Sequence, residues 1–519
     1  MSGIISFPKT TVNIVAADSD VSNTPQKVLF VGQKLVAGSA TSGVLVQNIG
    51  NSSADIEALA GAGSMSAEML IMARKTNQKV QFDSIFLDDN GSATAAAKTI
   101  TITGTATESG SIDIVLSSRK NYTVTVPVTS GDTATVVGVN ADAQIDSDAP
   151  KAPYTPTNAV GVLTLTAKNG GIVGNTLGVE VSGSVAGLTF VVASSVSGLL
   201  DPVLTSVLDV IGEQRYQTIV WPYASDITTI KTFLDARFNV DDDILDGIAI
   251  IPSVDTLGNL TTLGNAHNSQ SIVIVGDEVE TTSPFIGPAN MEISYGRISE
   301  LAAIRSLRYT EGASIAQFVI SRNGSLDSFG GPALASKPYA NTPLPNLSTI
   351  DTGKGFEKTE IATLNAAGIT VFGNNRTSTS MIVGQIVTTY KTDIASNPDD
   401  TYKYLNYVDT SSQVREYFSN NLKSNYAQSR LTEGGLIRGR DMANDISITA
   451  FLIGLYSDLS GPDFVLLQEG EDALQFVKQN LSVVVDLSLG RATVQLTMPL
   501  VTQLREILAT MKISFSTNG

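Results

Sequence analysis

Lys27-Val28-Leu29-Phe30-Val31-Gly32 is an apolar run with no polar alternation. A strand of that kind is buried on both faces, as in a sheet covered by helices. Reading outward, Ser64 is a helix N-cap candidate, and Met65, Met69, Met72 and Ala73 follow at helical spacing through Asn77. Gln81–Leu87 reads as a second strand, closed by the turn Asp88-Asp89-Asn90-Gly91. Residues 26–88 are therefore a β–α–β unit.

The same pattern returns downstream. Strands Thr218–Trp221, Gly247–Ile251 and Ser271–Val275 alternate with helical patterns at 202–213, 225–239 and 289–309. Between the two α/β stretches, residues 92–200 are rich in Thr, Ser, Gly and Val. Clean alternation at Thr99–Thr103, Ile112–Leu116, Tyr122–Val128, Val162–Ala167 and Leu188–Ala193 predicts an inserted antiparallel β-domain, with a Pro-rich connection at 149–156. The division is an α/β domain over 26–91 and 201–356, an insertion at 92–200, and an α+β domain over 357–505. Residues 311–356 read as a linker or long loop.

In the last domain, helices are expected at 357–366, 413–428 and 441–459, and strands at Ile369–Phe372 and Met381–Tyr390. Strands Ser482–Leu489 and Ala492–Met498 follow, with Thr493, Gln495 and Thr497 wet and Val494, Leu496 and Met498 buried. Residues 1–25 and 506–519 look like arms. Val12 and Ile14 share one face of a short strand, and Met511, Ile513 and Phe515 alternate with polar residues. The first segment also reads as an ordinary first strand or a frayed terminus.

The chain has 519 residues, length for roughly three or four domains. Lys and Arg number 33 against 50 Asp and Glu, a formal net charge of −17. That sign argues against a nucleic-acid or anionic-membrane binder. No Cys excludes thiol catalysis, disulfides and thiolate metal centres, and one His excludes His-His metal motifs. No secretory signal is expected at Met1–Ala17, and the longest uncharged apolar run, Ile446–Tyr456, is too short to span a bilayer.

Motifs for chemistry are sparse. Gly353-Lys354 lacks the rest of a phosphate loop, and Gly171, Gly174 and Gly178 have the wrong spacing for a dinucleotide fingerprint, so they read as turns. His267 reads as a surface-loop residue, and Asp241-Asp242-Asp243 with Asp246 as a solvated turn before a cation site. The expectation is no enzyme and no cofactor.

Several stretches, taken in order, carry a resemblance. They are Lys27–Lys34, Leu59–Met72, Thr99–Thr107, Thr164–Gly174, Asn365–Thr370, Ile386–Tyr390 with Asp393 and Pro398-Asp399 after it, and Leu504–Phe515. The set resembles the contractile tail sheath proteins of Mu-like myophages. Gln385 departs from the basic residue expected there.

The resemblance implies a C-terminal domain facing a tail tube, an α/β domain outside it and a peripheral β insertion. It implies arms that add strands to the C-terminal sheets of neighbouring subunits, with Val12, Ile14, Met511, Ile513 and Phe515 donated and Val483, Val485, Val494 and Leu496 receiving. Partners would be the chain itself in hexameric rings and a helical polymer, a tube protein, and baseplate and neck or terminator proteins. Nucleic acid and direct membrane insertion are not implied. The place would be a virion tail assembled in the host bacterial cytoplasm, and the action contraction from a metastable extended state for genome delivery. Segments 18–25, 311–356 and 499–508 are the hinge candidates. Lys423, Arg430, Arg438 and Arg440 form a basic cluster in an acidic chain and are candidates for an acidic tube surface. A self-assembling, non-contractile surface or adhesin-type protein is the alternative, and an α/β enzyme with a β insertion a third reading.

Overall fold

A computed structural model describes residues 26–238, 245–314, 319–320, 326–327, 339–436, 441–461 and 466–502. Its centre is a parallel sheet. In chain order the six parallel strands are Lys27–Gln33, Gln81–Leu87, Thr218–Val220, Ile248–Asp255, Ile272–Glu280 and Ile369–Asn374. In space they run 2-1-3-4-5-6, each hydrogen-bonded to the next. Val28–Val31, Ile248–Ile251 and Ile272–Val275 are buried throughout, as unalternating strands require.

Helices Met65–Thr76 and Ser294–Ser314 pack on each other and on this sheet. Ile227–Phe238, Leu257–Asn265 and Lys358–Ala366 supply further cover. The Ser64 hydroxyl accepts from the Ala67 N–H at 3.1 Å, which is the N-cap expected from the sequence. Gly32 lets this helix, Met65–Thr76, sit close to the strand: a Cβ there would lie 2.3 Å from Met69 Cε and 2.8 Å from Ser66 Oγ, so a larger residue would have to displace those side chains.

Residues 97–196 hold two antiparallel ladders. One runs Leu188–Val196, Ala97–Gly104, Val162–Ala167, Tyr154–Ala159. The other joins Tyr122–Val128, Gly110–Leu116 and Val179–Ser182. It does not stop at the insertion, because Val179 and Glu180 pair with Ile286 and Phe285, whose strand pairs with the end of Ile272–Glu280. The insertion thus shares hydrogen bonding and one hydrophobic core with the α/β body. It also contains a helix, Ala134–Asp148, where strands alone were expected. Thr135, Val136, Val137 and Val139 favour strands, but the Thr133 cap and burial of Val137, Ala141 and Ile145 prevail.

The C-terminal division also differs from the sequence reading. Helix 358–366 and strand 369–374 belong to the central sheet, not to a separate domain beginning at 357. A second hydrophobic core begins at Val414. Helix Leu405–Tyr426 enters both: Leu405 and Val408 lie in the first core, Val414, Tyr417 and Phe418 in the second. Its start, expected at 413, lies eight residues earlier. Asn406, Asp409 and Thr410 interrupt the apolar pattern, yet all three are buried.

The strand expected over Met381–Tyr390 is confined to Met381–Val383. Beyond it no ladder continues: single backbone bonds join Thr388 and Thr389 to the Lys403 and Ile272 carbonyls, Thr370 Oγ1 exchanges bonds with Val387, and Thr388 and Thr389 hydroxyls donate to the Tyr402 and Ser269 carbonyls.

Candidate assembly surface in the C-terminal layer

The second core is built from helix Leu405–Tyr426, helix Asp445–Ser460 and helix Glu471–Gln479. Asn444 starts the middle helix with a reciprocal cap. Its Oδ1 accepts from the Ser447 N–H at 2.8 Å, and Ser447 Oγ accepts from the Asn444 N–H at 2.9 Å. Ile448, Leu452, Leu455, Tyr456 and Leu459 bury one face of it.

On this layer lies a two-stranded antiparallel hairpin, Leu481–Asp486 with Arg491–Leu496. Opposite residues share a face, so Leu481, Val483, Val485, Ala492, Val494 and Leu496 form one face. Leu481, Val483, Ala492 and Leu496 pack against the second core. The other face carries Ser482, Val484, Thr493 and Gln495. The division into two faces follows the sequence reading, except that Val494 keeps 37% exposure and Val484, on the wet side, 61%.

No third strand joins either edge of the hairpin among the described residues. A two-stranded sheet is marginal by itself, and unpaired edges invite pairing. Leu487, Leu489 and Phe476 add exposed apolar side chains nearby in sequence. The four residues assigned to the receiving sheet, Val483, Val485, Val494 and Leu496, therefore sit on one partly covered face. The arm residues Val12, Ile14, Met511, Ile513 and Phe515 lie outside the described residues.

Of the basic cluster, Lys423 is exposed in the last turn of helix 405–426, and Arg430 is exposed in a two-residue strand paired with Met442-Ala443. Arg438 and Arg440 lie outside the described residues.

Two ionic groups tie this layer to the body. Arg215 bridges Asp246 at 3.0 Å and Glu416 at 2.9 Å, and Arg415 reaches Asp246 at 2.9 Å. Deeper, Arg305 pairs with Asp409 at 2.7 Å, and the Tyr339 hydroxyl donates to the same carboxylate at 2.8 Å. Neither group was legible as a site in the sequence, because its members are scattered from 215 to 416.

The residues weighed for chemistry fall elsewhere. His267 is half-buried in a loop, and burial, with Lys231 and Lys391 nearby, pushes its pKa down. Asp246 is buried in ion pairs rather than solvated, and Asp241, Asp242 and Asp243 lie outside the described residues. Among the described residues no group of three His, Cys, Asp or Glu could hold a metal ion, and no helix is long and apolar enough to cross a membrane.

A Mu-like prophage tail sheath protein of Haemophilus influenzae is 26% identical to this chain over 249 residues. The chain resembles a phage tail sheath protein. The match covers 47% of this chain, and it spans only 50% of that relative's length. No family model matches the sequence. Among solved structures, the sheath tail protein of Desulfitobacterium hafniense aligns over 96% of this chain and 100% of its own, at 10% identity and a TM-score of 0.44. The sheath tail protein of Listeria innocua aligns over 92% of each chain, at 13% identity and a TM-score of 0.45.

Proposed function

We propose that this chain is the structural subunit of a contractile phage tail sheath. It polymerises as stacked rings or a helix around a tail tube, and it contracts from a metastable extended state to drive that tube through the host envelope. The observation that carries the reading is the C-terminal hairpin, which has no third strand among the described residues on either edge. The likeness to a prophage sheath protein supports it.

In this reading the arms at 1–25 and 506–519 extend the hairpins of neighbouring subunits. Each main-chain hydrogen bond contributes about 0.5–1.5 kcal/mol net, so a strand of several residues contributes a few kcal/mol. Burial of Val12, Ile14, Met511, Ile513 and Phe515 adds about 1.5–3 kcal/mol for each large side chain fully covered. Contacts passed head to tail generate rings and open helices rather than closed dimers. The C-terminal layer faces the tube, and Lys423, Arg430, Arg438 and Arg440 meet an acidic tube surface. Baseplate and neck proteins bind the two ends. Contraction is driven by energy stored in the extended lattice, so it calls for no nucleotide and no catalytic residue.

Negative-stain electron microscopy of the full chain beside a variant lacking residues 1–20, each mixed with the tube protein, tests this. Tubes or stacked rings are expected from the full chain and dispersed particles from the truncation. Equal polymers from both would exclude arm-linked assembly, and particles from both would exclude a sheath.

A further inference from the structure

The 2-1-3-4-5-6 order of the central sheet reverses direction between strands Lys27–Gln33 and Thr218–Val220. In doubly wound folds, ligands bind in the crevice beyond the carboxyl ends of the strands at this reversal. Here that crevice is filled by the chain itself. The occupant is the turn Asn169-Gly170-Gly171-Ile172 of the insertion, part of the glycine-rich stretch that fits no nucleotide motif.

The turn is read from every side. Asp89, just past the second strand, accepts from the Gln33 side chain at 2.6 Å, the Asn169 side chain at 3.0 Å and the Gly170 N–H at 2.6 Å. Asp201 accepts from the Ile172 N–H at 2.7 Å and from the Ser225 hydroxyl at 2.6 Å. Gln33, fully buried at the end of the first strand, donates to the Gly170 carbonyl at 2.6 Å. Asn169 donates to the Lys34 carbonyl at 3.1 Å, and its Oδ1 accepts from the Met65 N–H at 2.9 Å. Met65 is the first residue of helix Met65–Thr76, which packs against the first strand, so the Asn169 side chain takes up a free N–H at a helix N-terminus, the kind of end that can hold an anion. Only glycine fits the turn. Gly171 has φ +119°, and a Cβ on it would lie 2.7 Å from Asp201 Oδ1. The space left beside Gln33, Asn169, Gly170 and Tyr295 is about 10 Å³, room for one water at most.

We propose that this crevice is an internally liganded site. Its ligand is the peptide turn Asn169–Ile172, whose N–H groups meet two carboxylates of the body, and the contact locks the insertion onto the α/β domain. Asp89, Asp201 and Asn169 are positioning residues of the lock. The site takes a backbone turn and has no room for a nucleotide. This inference is independent of what the polymer does.

Hydrogen exchange of the full chain tests it, with D89N and N169A compared against wild type. D89N removes a carboxylate acceptor while keeping side-chain shape, and N169A removes only the three bonds of one side chain. Exchange over 168–174 and at the start of helix 65–76 is expected to rise at least tenfold in both. Protection over Ile112–Leu116 and Val28–Val31 is expected to hold. Unchanged exchange at 168–174 in either variant overturns the proposal. So does a uniform rise across insertion and body, which would make the turn ordinary packing rather than a separable lock.

Discussion

Asp409→Ala should weaken the attachment of the C-terminal layer to the body, and its cost follows from what is left behind. Asp409 is fully buried, and Arg305, its partner at 2.7 Å, is 5% exposed. Removing one member of such a pair leaves a charge without compensation, which costs about 3–5 kcal/mol. Tyr339 loses its acceptor as well, but that loss is coupled to the first and does not simply add. Urea denaturation followed by fluorescence reads the effect. Trp221 is the single tryptophan, and it lies fully buried in the first core. The expected outcome is a loss of about 3–5 kcal/mol for D409A. For Arg305→Met with Asp409→Leu, the loss should be smaller than the sum of the two singles by at least about 1 kcal/mol. A D409A loss below about 1 kcal/mol, or strict additivity in the pair, would refute the reasoning.

Three more outcomes follow from other places. Lys98 shares a strand face with Ile100 and Ile102, and burial lowers its pKa from 10.5 to about 8. The unfolded chain then holds a proton that the folded chain has released between pH 8 and 10.5, so stability rises with pH across that window and the full penalty applies below it. Lys98→Met should stabilise by about 3 kcal/mol at pH 7 and by little at pH 10.5, in urea titrations at both values. A Cβ on Gly287, at φ +147°, would lie 2.3 Å from Gly178 Cα where insertion and body strands cross. Gly287→Ala should cost about 2–5 kcal/mol in thermal denaturation. Lys423→Glu with Arg430→Glu should weaken co-sedimentation with tube protein at low salt, and unchanged binding would remove both from the tube contact.

The sequence made the parallel core visible because its strands are unbroken apolar runs, as at Val28–Val31 and Ile272–Val275, and because Ser64 marks a helix start by its own chemistry. The hairpin was visible through the alternation of Thr493, Val494, Gln495 and Leu496. What escaped is polar and buried. Asn406, Asp409 and Thr410 hid the first turns of a long helix, since their partners Arg305 and Tyr339 lie far away in sequence. Asp89 looked like a turn residue, and Asp201 carried no signal at all. Their shared role depends on Gly170 and Ile172 arriving from the insertion, and spacing along a chain does not record such a meeting. Helix Ala134–Asp148 was missed because valine and threonine follow strand preference until burial decides otherwise.

Helix Leu405–Tyr426 is rooted in two cores at once, and that makes it a lever. Its 22 residues span about 33 Å. Arg305 pins it at Asp409, Arg215 and Asp246 grip Glu416 and Arg415 near its middle, and the hairpin layer rides on the far end. A tilt of about 10° about Glu416 would sweep the far end, about 15 Å away, through about 3 Å, half a helical turn. Angular slack at these bonds becomes travel at the hairpin, so the stiffness of a few buried bonds sets how faithfully motion passes between the body and the hairpin layer.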